Sequence, residues 1–280
     1  MTDTILVSGA NGHLGSAVLT ELHARGALAT GGSRTPGEGM RHLDFDDRAG
    51  IDLSGVSTLV LVSAGYAEDD QVVARHTAAL DAAARDGVRH VLYTSLTGAG
   101  DHLGFALAHR ATERLVRASG VPWTILRNGL YAELFGSLLT WSDDGPALES
   151  AFGAGALAAV ARADLAEAAA VVAADPARHE GRTYDLVGAP VTAADVAGRL
   201  GVPHRTIGLA EYRRRLLGTP ELLPFQPPML ASIATGIRHG FLDGTGPDLA
   251  DLLGRTPRDP LAVAVGAAPV PSGITQAQDA

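Results

Sequence analysis

Three glycines at positions 9, 12 and 15 lie in the stretch ILVSGANGHLG, residues 5–15. They follow the apolar run Ile5–Ser8 and precede a helical apolar pattern that begins at Leu14. In a strand–turn–helix unit, the first glycine permits a tight turn, the second lets phosphates approach the backbone, and the third lets helix and strand pack closely. Phosphates then face free N–H groups at the positive end of the helix. The spacing is one residue longer than the common dinucleotide fingerprint, and it predicts a dinucleotide-binding loop lined by Asn11 and His13.

The end of the second predicted strand indicates which dinucleotide this loop would hold. The residues there are Gly-Ser-Arg-Thr at 32–35, and the next acidic residue is Glu38. An NAD site usually has a carboxylate at this point for the ribose 2′-hydroxyl, whereas an NADP site has an arginine near the 2′-phosphate. Arg34 can bind a phosphate through two hydrogen bonds, whereas a carboxylate would repel it. The sequence therefore favours NADP(H), with NAD(H) as the second choice.

Two further strand ends offer residues of a suitable type. Asp44 and Phe45 follow the third predicted strand, where the adenine ring would lie, and Asp44 could accept a hydrogen bond from the adenine amino group. Ser63, Ala64 and Gly65 end the fourth strand, and their small size leaves room for a ribose and the pyrophosphate. Each also has a simpler interpretation, as a turn aspartate or as the start of a loop.

Strand-like apolar runs alternate with helical patterns over the first half of the chain, which predicts an α/β fold. Continuous apolar strands separated by helices indicate a Rossmann-like, doubly wound parallel sheet covered on both faces. After Asn128 the pattern loosens, and the rest is typical of a smaller C-terminal substrate lobe with some segments returning to the sheet. We therefore predict a dinucleotide-binding domain over residues 1–130, a mainly substrate-side lobe over 131–267, and a flexible tail over 268–280. The strands predicted in the first half are Ile5–Ser8, Ala27–Ser33, Arg41–Asp44, Thr58–Ser63, Arg89–Ser95 and Val121–Arg127.

Composition excludes several classes of chemistry. All 22 basic residues among the 280 are arginine, so the chain has no Walker A lysine, no Schiff-base lysine and no catalytic Tyr-Lys pair. It has no cysteine, which excludes thiolate catalysis and cysteine metal sites. The ten histidines show no metal-ligand spacing, so no metal site is predicted. The net charge of −9 argues against nucleic acid and anionic membranes as partners. No signal peptide or membrane-spanning run is predicted, so the expected location is the cytoplasm.

Several motifs together resemble a known family. The loop GANGHLG, the strand-end pair SR, the strand YTS, and above all LRNGLYAE at 126–133 and HEGRTYDLVG at 179–188 are similar to the NmrA-like, atypical short-chain dehydrogenase/reductase family. The likeness is strongest to bacterial NADPH-dependent quinone oxidoreductases, and it runs from residue 5 to about 265. The glycine loop alone is common to many reductases, but the two longer motifs are more specific.

The resemblance implies NADPH along the carboxyl ends of the strands and a substrate cleft against the C-terminal lobe. It implies that Arg34 holds the 2′-phosphate, while Asn128 and Gly129 flank the ribose and nicotinamide. Tyr131 would stand near the nicotinamide or the substrate. The residues implied to hold the pyrophosphate are Gly9, Asn11, Gly12, His13, Leu14 and Gly15.

The helix after the fifth strand departs from the usual pattern of the superfamily. It reads GFALAHRATERLV and has neither the tyrosine nor the lysine of ordinary short-chain dehydrogenases. His109 falls where related members place lysine or histidine, and it is the candidate catalytic residue together with Tyr131. Ser95 falls where others carry a catalytic serine, and we group it with the cofactor-side residues. Both also have an interpretation without a role in function, His109 as an ordinary helix histidine and Ser95 as a turn cap.

Without a Tyr-Lys acid, the acceptor that fits best is a quinone or a similar conjugated compound. Reduction of an isolated ketone builds charge on an alkoxide, which needs a proton donor. Hydride transfer to a quinone instead makes a delocalised, weakly basic phenolate, so a flat acceptor stacked in a dry cleft suffices. The aromatic residues predicted around this cleft are Tyr131, Phe135, Trp141, Phe152 and Phe225.

Two other functions stay open on the sequence alone. A non-catalytic NAD(P)-binding redox sensor of the NmrA type would suit the missing Tyr-Lys pair equally well. An epimerase or dehydratase of the extended short-chain group is disfavoured, because it would need that pair. A homodimer is also possible.

Overall fold

The computed structural model describes residues 4–65 and 67–269. Its strands, in chain order, are β1 Ile5–Ser8, β2 Ala29–Ser33, β3 Arg41–His42, β4 Thr58–Leu61, β5 His90–Leu96, β6 Trp123–Asn128, β7 Thr140–Trp141, β8 Leu148–Ser150, β9 Ala156–Ala158, β10 Thr183–Leu186, β11 Pro190–Thr192 and β12 His204–Thr206. Its α-helices are α1 His13–Ala24, α2 Asp69–Arg85, α3 Ala106–Ala118, α4 Ala132–Ser137, α5 Arg162–Ala174, α6 Ala193–Arg199, α7 Leu209–Leu217, α8 Gln226–Arg238, α9 Asp248–Leu253 and α10 Pro260–Ala267.

Seven strands form one central sheet in the order β10-β6-β5-β4-β1-β2-β3, and every neighbouring pair is parallel. The order turns back on itself between β1 and β4, which makes the sheet doubly wound and opens a crevice at the carboxyl ends of these strands. The predicted α/β, Rossmann-like fold is confirmed. Strand β10 returns from the C-terminal half of the chain to pair with β6.

Helices cover both faces of the sheet because successive strand residues point to opposite sides. In β1, Ile5 and Val7 pack with α1 and α5 on one face, and Leu6 packs with α2 on the other. Strands buried on both faces read as continuous apolar runs, which is the pattern seen in TLVL at 58–61.

A second core lies beside the sheet, in the C-terminal part of the described chain. Its centre is the stacked pair Phe135 and Phe152, whose ring centroids are 5.2 Å apart. Helix α4 approaches α10 so closely that a Cβ at Gly136 would lie 2.1 Å from the Ala264 carbonyl oxygen. Two small sheets, β11-β9 and β12-β8-β7, complete this lobe.

The first turn of α5 is stabilised by two arginines from a distant part of the chain, Arg255 and Arg258. The Asp164 side chain is fully buried there and accepts hydrogen bonds from the Arg255 guanidinium and from the Arg258 backbone N–H, each at 2.7 Å. The Arg258 guanidinium also bonds to Asp164. This arginine pair neutralises a carboxylate that could not otherwise stay buried.

The predicted flexible tail lies outside the described residues from position 270 onward. Within residues 4–65 and 67–269, no helix combines the length and the apolar character needed to cross a bilayer.

Candidate active site

The glycine loop between β1 and α1 has the geometry that its sequence predicts. Gly9 has a φ of +62°, in the left-handed region that favours glycine. A Cβ at Gly15 would lie 2.3 Å from the Gly9 carbonyl oxygen, so only glycine lets the helix approach the turn this closely. Gly12 is the N-cap of α1 and offers no side chain to the first N–H groups of the helix. These groups therefore remain available to an anion.

The loop after β2 carries Arg34 beside the glycine loop. The Asn11 side chain joins the two, because its Nδ2 donates to Ser33 Oγ and to the Thr35 carbonyl oxygen, each at 2.8 Å. Arg34 is exposed and forms no hydrogen bond or ion pair with any described residue. Its guanidinium is therefore free to bind a phosphate.

A groove of about 820 Å³ runs along the carboxyl ends of the central strands. Most of the predicted cofactor-side residues line it, and the structure thus brings together segments that are far apart in the chain. Those residues are Gly9, Asn11, Gly12, His13, Leu14, Gly15, Arg34, Asp44, Phe45, Ser63, Ala64 and Gly65.

Asp44 and Phe45 form the end of the groove beyond β2. The Asp44 carboxylate accepts the backbone N–H of Asp46 at 3.0 Å, which shapes the turn and leaves further lone pairs on the carboxylate. Phe45 is half-buried against the core of the sheet. Asp44 thus has both the turn role and the capacity to accept from a ligand.

A second cavity, of about 440 Å³, continues from the groove towards the C-terminal lobe. Its walls are mostly apolar, and α8 contributes Met229 and Ile233. The Gly104 N–H donates to Ser232 Oγ at 3.0 Å and ties this helix to the segment before α3. We call this second cavity the apolar chamber. The residues shared by groove and chamber are Leu14, Val62, Ser63, Gly65 and Tyr131.

His109 and Tyr131, the two candidate catalytic residues, both line the apolar chamber. His109 is half-buried, and its Nδ1 lies 3.0 Å from the phenol oxygen of Tyr93. Burial lowers the pKa of His109 to about 4, so the imidazole is neutral near pH 7. Burial also raises the pKa of Tyr131, so its phenol stays protonated.

Asn128 lines the same chamber and has a buried side-chain oxygen without a partner among the described residues. The residue is 6% exposed and lines the cavity, yet its Oδ1 forms no hydrogen bond within the described part of the chain. Buried polar atoms are normally paired, so this oxygen fits a donor on a bound molecule. Gly129 follows it, and a Cβ there would lie 3.0 Å from the Leu186 carbonyl oxygen.

These observations fit a dinucleotide with a 2′-phosphate. The glycines leave the backbone open, the start of α1 attracts an anion, and the free guanidinium stands beside the β2 end. Among the described residues, Asn128, with its unpartnered oxygen, belongs to the chamber lining and not to the groove lining.

Comparison with known proteins gives the same picture. Quinone oxidoreductase 2 of Escherichia coli is 31% identical over 273 residues, which cover 89% of this chain and 93% of that protein. The chain belongs to the NmrA-like, atypical short-chain dehydrogenase/reductase family, as predicted. No protein-family model matches it.

Solved structures of the family superpose over most of the chain. Triphenylmethane reductase of Citrobacter sp., solved with NADP(H), has a TM-score of 0.83 at 27% identity and covers 94% of this chain and 99% of its own. The NADPH complex of Escherichia coli quinone oxidoreductase QOR2 has a TM-score of 0.81 at 29% identity, with the same coverage. The fold of this NmrA-like protein is therefore that of reductases crystallised with the phosphorylated dinucleotide.

The Ser95 hydroxyl of this NmrA-like chain is engaged in a hydrogen bond with a buried carboxylate. Ser95 lines the chamber, but its hydroxyl donates to Glu113 at 2.7 Å. The Glu113 carboxylate also receives two hydrogen bonds from Arg127, at 2.8 and 2.7 Å, and one from Arg110 at 2.8 Å. The Ser95 hydroxyl is therefore part of a buried charge network that joins α3 to β5 and β6.

The predicted aromatic lining is correct only in part. Tyr131 and Phe225 line the apolar chamber. Phe135 and Phe152 are wrong predictions, because both are fully buried in the core of the C-terminal lobe. Trp141 is also absent from the chamber walls, and its Nε1 donates instead to the Pro269 carbonyl oxygen.

Two arginines of the groove were missed from the sequence. Arg75, on α2, binds the Asp46 carboxylate through two hydrogen bonds of 2.7 and 2.8 Å, so its charge is already compensated. Arg162, the first residue of α5, stacks over the Tyr131 ring with its guanidinium carbon 5.0 Å from the centroid. It forms no ion pair with the described residues. The only available signal was that Arg162 follows a strand-like run and begins a helix.

Proposed function

We propose that this NmrA-like protein is an NADPH-dependent oxidoreductase that reduces quinones or similar conjugated acceptors. The observation that carries the proposal is the shared wall: a groove with a free guanidinium at one end opens, past Tyr131 and Ser63, into an apolar chamber. A dinucleotide that fills the groove would end where an acceptor in the chamber begins. This arrangement supplies the proximity that hydride transfer needs.

On the cofactor side, different segments of the chain would bind different parts of the dinucleotide. The glycine loop and the N-terminus of α1 would bind the pyrophosphate, and Arg34 would bind the 2′-phosphate. Asp44 and Phe45 would contact the adenine. Ser63, Ala64 and Gly65 would leave space for the ribose, while Asn128 and Gly129 flank the nicotinamide end.

Bound NADPH would supply the hydride, and the chain would supply the position and the surroundings. Within the described lining, the chamber offers apolar side chains from the dinucleotide side and from α8, which exclude water and receive a flat ring system. Its charged lining residues are Glu68 and Asp69, both acidic. The absence of lysine excludes a Tyr-Lys acid, so the acceptor must form a weakly basic anion, as a quinone does.

The walls of the groove and the chamber support the proposed division of the chain. Residues 1–130 would hold most of the dinucleotide, and the part from 131 to 267 would close the acceptor side through Phe225 and Met229. A non-catalytic sensor has no evident use for an apolar chamber beside the nicotinamide end, and no described residue favours it. Dimer formation and a cytoplasmic location stay predictions.

A steady-state assay tests the proposal. The loss of reduced-nicotinamide absorbance would be followed with NADPH and NADH in parallel against a panel of simple quinones. We expect turnover with a clear preference for NADPH. Tight dinucleotide binding without turnover on any quinone would instead support the sensor.

A further inference from the structure

The His109 imidazole lines the apolar chamber, and its hydrogen-bond partner is a buried tyrosine. His109 Nδ1 lies 3.0 Å from the Tyr93 phenol oxygen, and the ring of Phe105 packs edge-on against the imidazole. His109 Nε2 forms no hydrogen bond with any described residue. Since Nδ1 is engaged, Nε2 is the nitrogen left for a molecule in the chamber.

The direction of the Tyr93–His109 hydrogen bond follows from the state of the phenol. Tyr93 is fully buried, and burial raises the pKa of its hydroxyl above the ordinary range, so the phenol keeps its proton. A buried O–H group must donate to an acceptor. The nearby hydroxyls of Ser63 and Thr112 lower the pKa of this phenol, but burial outweighs them, and Ser63 Oγ forms no hydrogen bond with a described residue. An imidazole nitrogen is the more basic acceptor, so the phenol proton goes to His109 Nδ1.

Thr112 is the other candidate acceptor for the Tyr93 proton, but its hydroxyl is already engaged by other groups. The Ala64 N–H donates to His76 Nε2 at 2.9 Å, so the neutral His76 ring carries its proton on Nδ1. That Nδ1 lies 2.8 Å from Thr112 Oγ1, and Thr112 in turn donates to the Ala108 carbonyl oxygen. Thr112 therefore already has a donor and an acceptor.

We propose that His109 is a neutral hydrogen-bond donor to the carbonyl oxygen of the acceptor, and that Tyr93 is the positioning residue that fixes the required Nε2–H tautomer. This inference rests on the proposed function. It adds a polar contact to a chamber that otherwise selects acceptors by shape and apolar surface. The acceptor it selects is a conjugated compound with a carbonyl oxygen directed towards α3.

A neutral imidazole acts here through its hydrogen bond and keeps its proton. Burial and the nearby Arg110 charge favour the neutral ring, while Glu113 opposes them. Loss of the Nε2 proton would leave a strongly basic imidazolate, so His109 is not a general acid. The quinone gains a hydride, its oxygen becomes a phenolate stabilised by Nε2–H, and a proton from water completes the hydroquinone. Neutral histidine is a known electrophile in other enzymes.

The tautomer is measured directly on the dinucleotide-free protein. Two-dimensional ¹⁵N–¹H correlation spectra of histidine-labelled protein should show His109 protonated at Nε2 in the wild type. The Tyr93→Phe variant should show a mixture of both tautomers. A wild-type protein protonated at Nδ1, with the phenol proton on Ser63, would overturn the inference without reference to turnover.

The donor role is tested with a quinone as ligand and as substrate. Titration with 1,4-naphthoquinone should shift the His109 Nε2–H resonance, and an unchanged resonance at saturation would contradict the proposal. In turnover, His109→Leu should lower kcat about a hundredfold, as for loss of one oxyanion donor, with the Kd for NADPH unchanged. His109→Gln, whose amide can donate, should recover most of it. His239→Leu, at an exposed position, is the matched control.

Failure of the proposed function is distinguishable from failure of this inference. If the wild type reduces no quinone, the assay contradicts the reductase, while the tautomer and the naphthoquinone shift still test the donor. If quinones turn over equally well with His109→Leu, the reductase stands and the donor role of His109 is wrong.

Discussion

The side-chain amide of Asn11 binds Ser33, with Nδ2 and Oγ 2.8 Å apart. This contact joins the glycine loop to the end of β2. A second hydrogen bond, from Asn11 Nδ2 to the Thr35 carbonyl oxygen, means that Asn11 holds the residues on both sides of Arg34. The residues that we propose for the pyrophosphate and for the 2′-phosphate are thus held in one unit. Asn11 joins these two proposed phosphate sites, in addition to lining the loop.

Replacement of Arg34 should change cofactor preference. We expect Arg34→Asp to raise the Kd for NADPH about tenfold to a hundredfold, since it removes charge-assisted hydrogen bonds and adds a repelling carboxylate. The Kd for NADH should change much less. Fluorescence titration with both dinucleotides measures the ratio, and Arg213→Asp on exposed α7 is the control. Equal losses for both dinucleotides would show that Arg34 does not bind the 2′-phosphate.

Arg162 should act on both dinucleotides alike. Its guanidinium lines the groove beside Tyr131 and is not compensated by a described carboxylate, so it is placed for a group that NADPH and NADH share. Arg162→Gln should weaken both by about tenfold, with the preference for NADPH retained. The same titrations give the result. A loss confined to NADPH would move Arg162 to the 2′-phosphate side.

Gly12 should be essential for dinucleotide binding. A Cβ there would already lie 3.2 Å from the Gly9 carbonyl oxygen, and a larger side chain would project where the phosphates approach. We expect Gly12→Val to abolish measurable binding while the protein stays folded. Gly244→Val is the matched control, because a Cβ at Gly244 meets no atom within 4 Å. Retained binding in Gly12→Val would overturn the assignment of the loop.

Strong periodicity made the central sheet predictable. The buried runs at β1, β4, β5 and β6 were each predicted within a few residues, because strands buried on both faces leave a continuous apolar signal. The small sheet of β7, β8 and β12 was not foreseen. Its strands have two or three residues, and β12 pairs with β8 across more than fifty positions, so no local pattern marks them. The two-stranded sheet of β9 and β11 is equally short, with three residues in each strand and an antiparallel pairing.

The candidate site was predictable where function depends on backbone geometry. Glycine spacing and strand ends identify the groove residues because they follow directly from the β1–α1 turn. Arg75 and Arg162 could not be identified, since an arginine on a helix carries no signal of which cavity it borders. The core position of Phe135 and Phe152 was equally hidden, because aromatic residues suit both a cleft and a core.

A larger side chain on α8 should block the apolar chamber without changing the affinity for the cofactor. Met229 is half-buried on α8 and lines the chamber but not the groove. Met229→Trp should raise the KM for a quinone about tenfold or more through lost volume, while the Kd for NADPH stays unchanged. Met229→Leu, with nearly the same volume, is the control. A change in the Kd for NADPH would contradict the separation of the two cavities.

Acid should destabilise the protein through Glu113. Burial alone would raise the pKa of this carboxyl, but hydrogen bonds from Arg127 and Ser95 outweigh burial and hold the pKa at about 2. The folded state therefore binds this proton less readily than the unfolded chain. Its contribution to stability is complete above the ordinary glutamate pKa of 4.5 and is lost as the pH falls towards 2.

Urea unfolding at several pH values between 7 and 3 measures this dependence. We expect Glu113→Gln to lower the free energy of unfolding by about 3 kcal/mol at pH 7, because it removes the carboxylate that compensates the half-buried guanidinium groups of Arg110 and Arg127. The variant should also lose stability less steeply on acidification than the wild type. Glu180→Gln, at an exposed position, should behave like the wild type. Parallel pH curves for Glu113→Gln and the wild type would contradict the role of this network.

The contacts of Asp164 with Arg255 and Arg258 determine when the start of α5 can become fully stable during synthesis of the chain. Asp164 lies 91 positions before Arg255 and 94 before Arg258, and it belongs to the same helical turn that presents Arg162 to the groove. A nascent chain that has not yet emerged as far as Arg255 contains the whole glycine loop but leaves this carboxylate without its counter-charges. Full affinity for the dinucleotide should therefore arrive late on the ribosome, after the C-terminal arginines have reached α5.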